Sequence, residues 1–130
     1  PYHSVCTTST HDMTPLRNWW KEDPEKTRRY YNQVLLRIGE APDECTTDIA
    51  TQIISNHLKT RSMLTIIPLQ DWFAMDDSIK RKDIEPERIN VPANSKHYWR
   101  YRMHVTLEQL LQADNLNNKI VSLIKEAGRK

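Results

Sequence analysis

The densest cluster of side chains able to do chemistry lies close to the start of the sequence. Residues 7–12 are Thr-Thr-Ser-Thr-His-Asp, so hydroxyl groups, an imidazole and a carboxylate follow one another without interruption. A His-Asp pair alone indicates little, because Asp is also a preferred residue in turns and at helix starts. Two interpretations of Asp12 therefore stay open. Either it belongs to a functional site, or it caps a helix that begins near Thr14.

The elements that must position this cluster are a strand before it and helices after it. Residues 4–9 are short, β-branched and polar, which predicts a strand that ends near Thr10. A helical turn is expected over residues 14–20, and Asp23 then caps a helix with Pro24 in its first turn. The apolar stripe and the end of this helix are predicted at Tyr30, Val34, Ile38 and Gly39.

A second helix and a second strand follow. Apolar residues recur at helical spacing as far as Lys59, at Ile49, Ala50, Ile53, Ile54 and Leu58. Residues 63–67 are continuously apolar, which is typical of a strand buried on both faces of a parallel sheet. Residues 69–75 form a loop or short helix that carries Gln70 and Asp71. These two either order a pocket floor or cap that helix, and the cap is the favoured interpretation.

The last third of the chain is predicted to combine an exposed loop with two closing helices. Residues 76–87 are charged and poor in apolar side chains, which indicates an exposed loop or lid. Thr106 is expected to cap a short helix that runs to Gln112, and Asp114 to cap the last one. One face of the last helix is predicted to consist of Leu116, Ile120, Leu123, Ile124 and Ala127, with Gly128 at its end.

This order predicts an α/β fold. A β-α-β-α succession matches two consecutive units of a parallel (β/α)8 barrel of the TIM type, which as a whole takes about 250 residues. Residues 1–130 are therefore interpreted as a single, helix-rich domain that is an incomplete barrel. In such barrels the functional groups lie at the carboxyl ends of the strands, which is where the cluster at residues 7–12 is expected.

The charge balance argues neither for nor against a charged partner, whereas the cysteine content argues against two classes of site. The 19 basic and 17 acidic side chains are spread along the chain and give a net charge of +2. Cys6 and Cys45 belong to no CxxC pattern, so reduced thiols are expected, without a disulfide framework or a zinc site. No metal and no cofactor are expected. No apolar run reaches the length of a membrane helix. The start at Pro1, shortly before the cluster, is interpreted as a cut edge.

Longer motifs carry a resemblance to a known family. Residues 11–20, His-Asp-Met-Thr-Pro-Leu-Arg-Asn-Trp-Trp, resemble the His-Asp-x-x-x-Leu-Arg-x-Trp-Trp segment of the amylomaltase and disproportionating-enzyme family, the 4-α-glucanotransferases of glycoside hydrolase family 77. Residues 67–71 resemble its Pro-Leu-Gln-Asp segment, residues 88–92 its Arg-x-Asn-x-Pro loop, and residues 97–102 the stretch beyond. Residues 92–99 are closer to the plant cytosolic type.

The resemblance implies a function and assigns roles to three residues. It implies a transferase that moves α-1,4-glucan segments between maltodextrin or starch chains by a retaining mechanism with three carboxylates. Asp12 matches the third carboxylate, which stabilises the transition state. His11 and Asn90 match substrate-binding positions, although an Asn that merely shapes its loop is an equally good interpretation of Asn90.

The resemblance also implies what the chain is a part of and where it works. It matches strands 7 and 8 of the catalytic barrel, so the chain is expected to be a C-terminal fragment. The nucleophile and the acid/base lie on earlier strands in that family, and the chain alone is expected to be inactive. A glucan substrate, no nucleic-acid partner, no membrane and a cytoplasmic location are expected. Unmet strand edges predict a homo-oligomer.

Alternatives remain for several of these residues. Residues 96–102 interleave basic and aromatic side chains, as single-stranded nucleic-acid grooves do, or as a carbohydrate-binding module could. A thiol or metal enzyme would use Cys6, His3 or His11, but Cys6 lies mid-strand and is better explained as a small buried side chain. Trp19 and Trp20 could stack on sugars, although packing is the favoured role. His57 is expected to be a partly exposed surface residue without a partner.

Overall fold

The protein is described here by a computed structural model that covers residues 1–129. Within these residues the chain forms two short strands, six α-helices and one 3₁₀ turn. Their bounds are β1 Val5–Thr7, α1 Leu16–Glu22, α2 Pro24–Gln33, α3 Thr47–Leu58, β2 Leu64–Ile66, α4 Leu69–Phe73, the 3₁₀ turn Glu85–Glu87, α5 Leu107–Leu111 and α6 Asp114–Glu126. The predicted succession of elements is therefore present in the predicted order.

The two strands pair in parallel, and this pairing determines where the polar cluster lies. Val5 is opposite Leu64 and Thr7 is opposite Ile66. A parallel pair requires a crossover connection, which α1, α2 and α3 provide. Both strands consequently end at the same edge, so the segment after β1 lies beside the segment after β2.

One face of this sheet is exposed. Val5, Leu64 and Ile66 are 58%, 48% and 57% exposed. The prediction that the second strand is buried on both faces is therefore wrong for this chain, because no element among residues 1–129 packs over that face. The continuous apolar run still defines a strand, and Ile67 at its end is buried.

Helix α2 is shorter than predicted. Asp23 is its N-cap, as predicted, and its Oδ1 accepts hydrogen bonds from the amides of Glu25 and Lys26. The helix ends at Gln33 rather than near Gly39, since the chain turns there and brings Leu35 into the core. The predicted apolar stripe of this helix is wrong at its last two positions. Val34 and Ile38 lie beyond the helix and are exposed, at 52% and 98%.

Helices α3 and α6 pack together around the hydrophobic core. Thr46 caps α3 by accepting a hydrogen bond from the Ile49 amide, and the predicted apolar face of α3 is buried. Leu116 and Leu123 of α6 are buried in the same core, as predicted. The apolar residues buried in the core are Leu16, Trp20, Leu35, Cys45, Ile49, Ala50, Ile53, Ile54, Leu58, Ile67, Phe73, Ala74, Met75, Leu116 and Leu123.

The caps of the closing helices agree with the predictions only in part. Thr106 and Gln109 form a reciprocal capping box at the start of α5, which confirms Thr106 as the cap. Asp114 is the first residue of α6 rather than its cap, and no side chain caps that helix. Within residues 1–129 no helix has the length and apolar character needed to cross a membrane.

The segment 76–87 is anchored rather than exposed throughout. Asp76 is buried at 4% exposure, where its Oδ2 accepts a hydrogen bond from Asn115 and its Oδ1 accepts two from Ser78. Glu87 is buried as well. The prediction of an exposed excursion is therefore wrong at both ends, because Asp76 is buried with hydrogen-bond donors around it and Glu87 is buried in an ion pair with Arg17.

Candidate active site

Asp12 and Asn90 meet beyond the carboxyl end of β1, although 78 residues separate them in the sequence. The Asn90 Nδ2 atom donates a 2.7 Å hydrogen bond to Asp12 Oδ1. The Asp12 side chain is 51% exposed, so an incoming ligand can reach its carboxylate. An amide donor orients a carboxylate without neutralising it, and Asp12 therefore presents a fixed negative charge to the solvent side.

His11 completes a group of three polar side chains. Its Nε2 atom lies 3.3 Å from Asp12 Oδ2, and its side chain is 54% exposed. Its ring also lies 5.1 Å from the Trp99 ring, centroid to centroid, at an interplanar angle of 44°. Trp99 is itself 60% exposed. An exposed indole against an imidazole that itself lies beside a carboxylate is a combination that can hold the apolar and polar surfaces of a sugar.

Asp71 supports the segment that carries His11 and Asp12. Its Oδ2 atom accepts hydrogen bonds from the Thr8 and Ser9 hydroxyls, and its Oδ1 atom accepts one of 2.8 Å from the Leu16 amide. Asp71 is only 1% exposed. Burial raises the pKa of this carboxyl group above its ordinary range, and the three hydrogen bonds act in the opposite direction.

These contacts exclude two helix-cap interpretations that the sequence left open. Helix α1 begins at Leu16 and has no side-chain cap from the residue before it, so Asp12 is not the cap of that helix. Asp71 does not cap its own helix α4 either. The favoured interpretation of Gln70 and Asp71 as a local cap is therefore wrong, because Asp71 reaches across to the start of α1 and Gln70 bonds the Glu87 carbonyl.

A buried ion pair supports the segment that carries Asn90. The Arg17 guanidinium lies 2.8 Å from Glu87 Oε1, and the two side chains are 8% and 3% exposed. Arg17 also donates to the Arg81 carbonyl, and Asn18 donates to the Ile84 carbonyl. Burial raises the pKa of Glu87 to about 6, while Arg17 acts to lower it. Helix α1 thus contacts the loop that leads to Asn90. The same helix follows Asp12 in the sequence, so it connects the two segments of the site.

The two adjacent tryptophans have packing roles, as favoured. Trp20 is 1% exposed and donates through Nε1 to the Pro42 carbonyl, while Trp19 is half-buried against the core with the Lys26 ammonium 5.1 Å from its ring. His57 is partly exposed, as predicted. Contrary to the prediction it has a partner, since its Nδ1 atom lies 2.7 Å from the Ile53 carbonyl oxygen.

Nothing in the cysteine environments favours thiol chemistry. Both cysteines are free, Cys6 half-buried and Cys45 buried. Burial raises the pKa of the Cys45 thiol to about 12, which keeps it protonated at neutral pH. Among residues 1–129, no three His, Cys, Asp or Glu side chains are grouped so that they could hold a metal ion.

Side chains of the basic and aromatic segment beyond Asn90 contact one another and the neighbouring backbone. The Arg100 guanidinium lies 5.0 Å from the centre of the Tyr98 ring, so a charge already covers one ring face that a base would stack on. His97 Nε2 lies 2.9 Å from the Ile89 carbonyl oxygen, next to Asn90. These contacts order the loop that carries Asn90.

Comparison with known proteins agrees with this arrangement of motifs. A family model described as 4-alpha-glucanotransferase, glycoside hydrolase family 77, matches residues 1–108. The chain belongs to this family. The resemblance seen in the sequence motifs is thereby confirmed.

Two relatives within the 4-alpha-glucanotransferase family illustrate the similarity. The chain is 41% identical over 128 residues to the 4-alpha-glucanotransferase DPE2 of Oryza sativa subsp. japonica, covering 98% of this chain and 14% of that protein. It is 32% identical over 123 residues to a 4-alpha-glucanotransferase of Chlamydia trachomatis serovar D, covering 92% of this chain and 22% of that protein. The chain thus spans less than a quarter of the length of either relative.

A solved structure shows the same fold. The amylomaltase from Streptococcus agalactiae, determined in complex with acarbose, matches with a TM-score of 0.70 over 97% of this chain and 22% of that protein. The sequence identity is 19%, so this likeness concerns the fold. The helix-rich α/β arrangement of this chain is therefore that of a part of an amylomaltase.

Sequence reasoning named the three side chains that meet at Asp12 but missed the residues behind them. Arg17 and Glu87 were not singled out, although Arg17 belongs to the Leu-Arg motif and a charged residue within an apolar motif is a signal of a buried partner. Trp99 was noted only as part of a motif. Its exposure beside His11 could be seen only once the two segments were placed together.

Proposed function

We propose that this chain is the C-terminal part of the catalytic domain of a 4-α-glucanotransferase, contributing strands 7 and 8 of a (β/α)8 barrel with their helices and loops. The proposed enzyme transfers α-1,4-glucan segments between maltodextrin or starch chains with retention of configuration. Family membership supports the reaction, and the parallel pairing of β1 with β2 supports the barrel assignment.

The observation that carries the proposal is the contact between Asp12 and Asn90, with His11 beside them, at the carboxyl end of a parallel strand pair. In our proposal Asp12 is the third carboxylate. It accepts hydrogen bonds from sugar hydroxyls and stabilises the positive charge that develops at the anomeric carbon. His11 and Asn90 bind the same sugar and hold the Asp12 carboxylate in position.

The substrate and setting of the proposed enzyme follow from its relatives. The rice and chlamydial proteins are named 4-alpha-glucanotransferases, and the streptococcal amylomaltase was solved with acarbose. We propose a glucan or maltooligosaccharide substrate on this basis. Similarity to the plant cytosolic type leads us to propose a cytoplasmic location.

Asp12→Asn in the full-length enzyme tests the proposed role. This change keeps the size and most hydrogen bonding but removes the charge, so binding of maltotriose should survive while turnover falls about a hundred-fold to a thousand-fold. The matched control is Asp23→Asn, at the cap of α2, which should leave turnover unchanged because Asn caps about as well as Asp. Near-normal turnover of the Asp12 variant would remove Asp12 from the active site.

The chain of 130 residues by itself should not transfer glucosyl groups. A retaining mechanism requires a nucleophile and an acid/base about 5 Å apart across the scissile bond, and the proposal places both on strands outside this chain. Glucose release from maltotriose measures this directly. Sustained turnover by the purified 130-residue chain would contradict the proposed division of roles.

A further inference from the structure

Among residues 1–129, the hydrogen bonds that the Asp71 carboxylate accepts come from the two ends of one segment. Thr8 and Ser9 donate to Asp71 Oδ2 from the residues just before His11 and Asp12, and the Leu16 amide donates to Oδ1 from the residue that starts α1. The segment 10–15 between these anchors is not part of a helix or strand. A single buried carboxylate therefore fixes both ends of the segment that carries Asp12.

The start of α4, which carries Asp71, also contacts the segment that leads to Asn90. Gln70, next to Asp71 at the start of α4, donates a 3.1 Å hydrogen bond to the Glu87 carbonyl, three residues before Asn90. The start of α4 thus lies between the segment that carries Asp12 and the segment that carries Asn90. Residues on this turn can set the separation of those two segments without reaching the substrate themselves.

Packing alone does not explain the burial of the Asp71 carboxylate, because this burial lowers the stability of the native state. It is 1% exposed, and its carboxylate has no ion-pair partner within 4 Å among residues 1–129. Burying a carboxylate without a counter-ion costs free energy that an amide or an apolar side chain would avoid. What the carboxylate provides instead is two acceptor oxygens that bind three donors on a distant segment.

We propose that Asp71 is a positioning residue for the glucanotransferase reaction. By holding Thr8, Ser9 and the Leu16 amide, Asp71 fixes the segment 10–15 so that Asp12 meets Asn90 in the orientation needed to receive the sugar. This inference rests on the proposed role of Asp12, because a positioning residue acts through the group it positions. Asp71 itself lies behind that segment and does not contact the substrate.

The test compares Asp71→Ala with Asp71→Asn in the full-length enzyme. The Ala variant leaves the Leu16 amide and two hydroxyls without their acceptor, and a shift of about 1 Å in Asp12 should lower kcat about a hundred-fold. The Asn variant should retain kcat within several-fold. Its oxygen can accept from the Leu16 amide, while the Thr8 and Ser9 hydroxyls rotate and accept from its amide nitrogen.

A double variant, Thr8→Val with Ser9→Ala, keeps the test valid if Asp71→Ala does not fold. Thr8→Val with Ser9→Ala removes two of the three donors and leaves Asp71 bound to the Leu16 amide, and kcat should fall about ten-fold. The matched control is Thr27→Val, which removes a buried hydroxyl that donates 2.7 Å to the Trp20 carbonyl away from this site. The control should lower the Tm and leave kcat unchanged.

Two outcomes separate this inference from the proposed function. If Asp71 acts through Asp12, combining Asp71→Ala, or the Thr8 and Ser9 pair, with Asp12→Asn should lower kcat no further than Asp12→Asn alone. If Asp12→Asn lowers kcat but the Asp71, Thr8 and Ser9 variants reduce only the Tm, as Thr27→Val does, the inference is overturned and the proposed function stands. Near-normal kcat in Asp12→Asn would overturn both.

Discussion

Replacing Arg17 by Met tests the buried ion pair that supports the Asn90 loop. Arg17 and Glu87 are nearly inaccessible to solvent, with their charged atoms 2.8 Å apart. Met preserves much of the apolar stem of Arg17 but removes the guanidinium. The variant therefore leaves the Glu87 carboxyl group buried without its counter-ion, and it leaves the Arg81 carbonyl without its donor.

The expected loss of stability at pH 7 is about 3 kcal/mol. With its pKa near 6 against an ordinary 4.5, ionised Glu87 already destabilises the native protein by about 2 kcal/mol relative to its protonated form. Without Arg17, Glu87 would stay protonated at pH 7, which adds about 1 to 2 kcal/mol to that penalty. The lost hydrogen bond to the Arg81 carbonyl adds about 1 to 2 kcal/mol.

The sign of the pH dependence follows from the raised pKa of Glu87. A carboxyl group with a raised native pKa contributes stability that is present below its unfolded value of 4.5 and is lost as the pH rises through about 6. At pH 5 Glu87 is mostly protonated in both proteins. The penalty of Arg17→Met should therefore be about 1 kcal/mol smaller at pH 5 than at pH 7.

Urea denaturation followed by circular dichroism at both pH values measures this difference. The matched control is Lys21→Met, whose ion pair with Glu44 lies on the surface and whose loss should cost less than about 1 kcal/mol. Combining Arg17→Met with Glu87→Leu should recover most of the stability, because no buried charge then remains. An equal penalty at pH 5 and pH 7, or a loss below about 1 kcal/mol at pH 7, would refute the reasoning.

Two further predictions concern the surface of the chain. The apolar sheet face formed by Val5, Leu64 and Ile66 should make the 130-residue chain self-associate, and a monodisperse monomer in light scattering at high concentration would contradict this. Leu36 has a left-handed backbone, with φ of 56°, and a side chain that is 79% exposed. Leu36→Gly should therefore raise the unfolding free energy by about 0.5 to 1 kcal/mol in thermal denaturation, whereas Leu36→Ala should not, and equal effects of the two would count against backbone strain.

The sequence predicted best what is decided locally. The cap at Thr106 and the apolar face of α3 depend on residues a few positions apart, and both are confirmed. The end of α2 was misplaced because Leu35 turns into a core built by distant helices. Periodicity cannot reveal that burying Leu35 outweighs continuing the helix over residues 34–38, since the free energy comes from tertiary packing.

The candidate site shows the same division between local and distant information. The motif around His11 and Asp12 indicated a site at the end of a strand, and the strand is there. The hydrogen bond from Asn90 joins residues 78 positions apart, and the ion pair of Arg17 joins residues 70 apart. No local sequence pattern can reveal a contact between residues so far apart in the chain. The exposed face of β2 was misjudged for a related reason, because hydrophobicity shows that a surface favours a partner but not where the partner lies.

The crossover between the two parallel strands has a consequence for the order of folding during synthesis. The hydroxyl of Thr8 donates to the carboxylate of Asp71, which is synthesised 63 residues later. At about 5 to 20 residues per second, the ribosome needs about 3 to 13 seconds to synthesise that stretch. Until then, the segment that carries Asp12 has neither β2 beside it nor its anchor at Asp71. Chains released before Asp71 would lack an ordered site even though His11 and Asp12 are present, and completion of the site should be among the last events in folding.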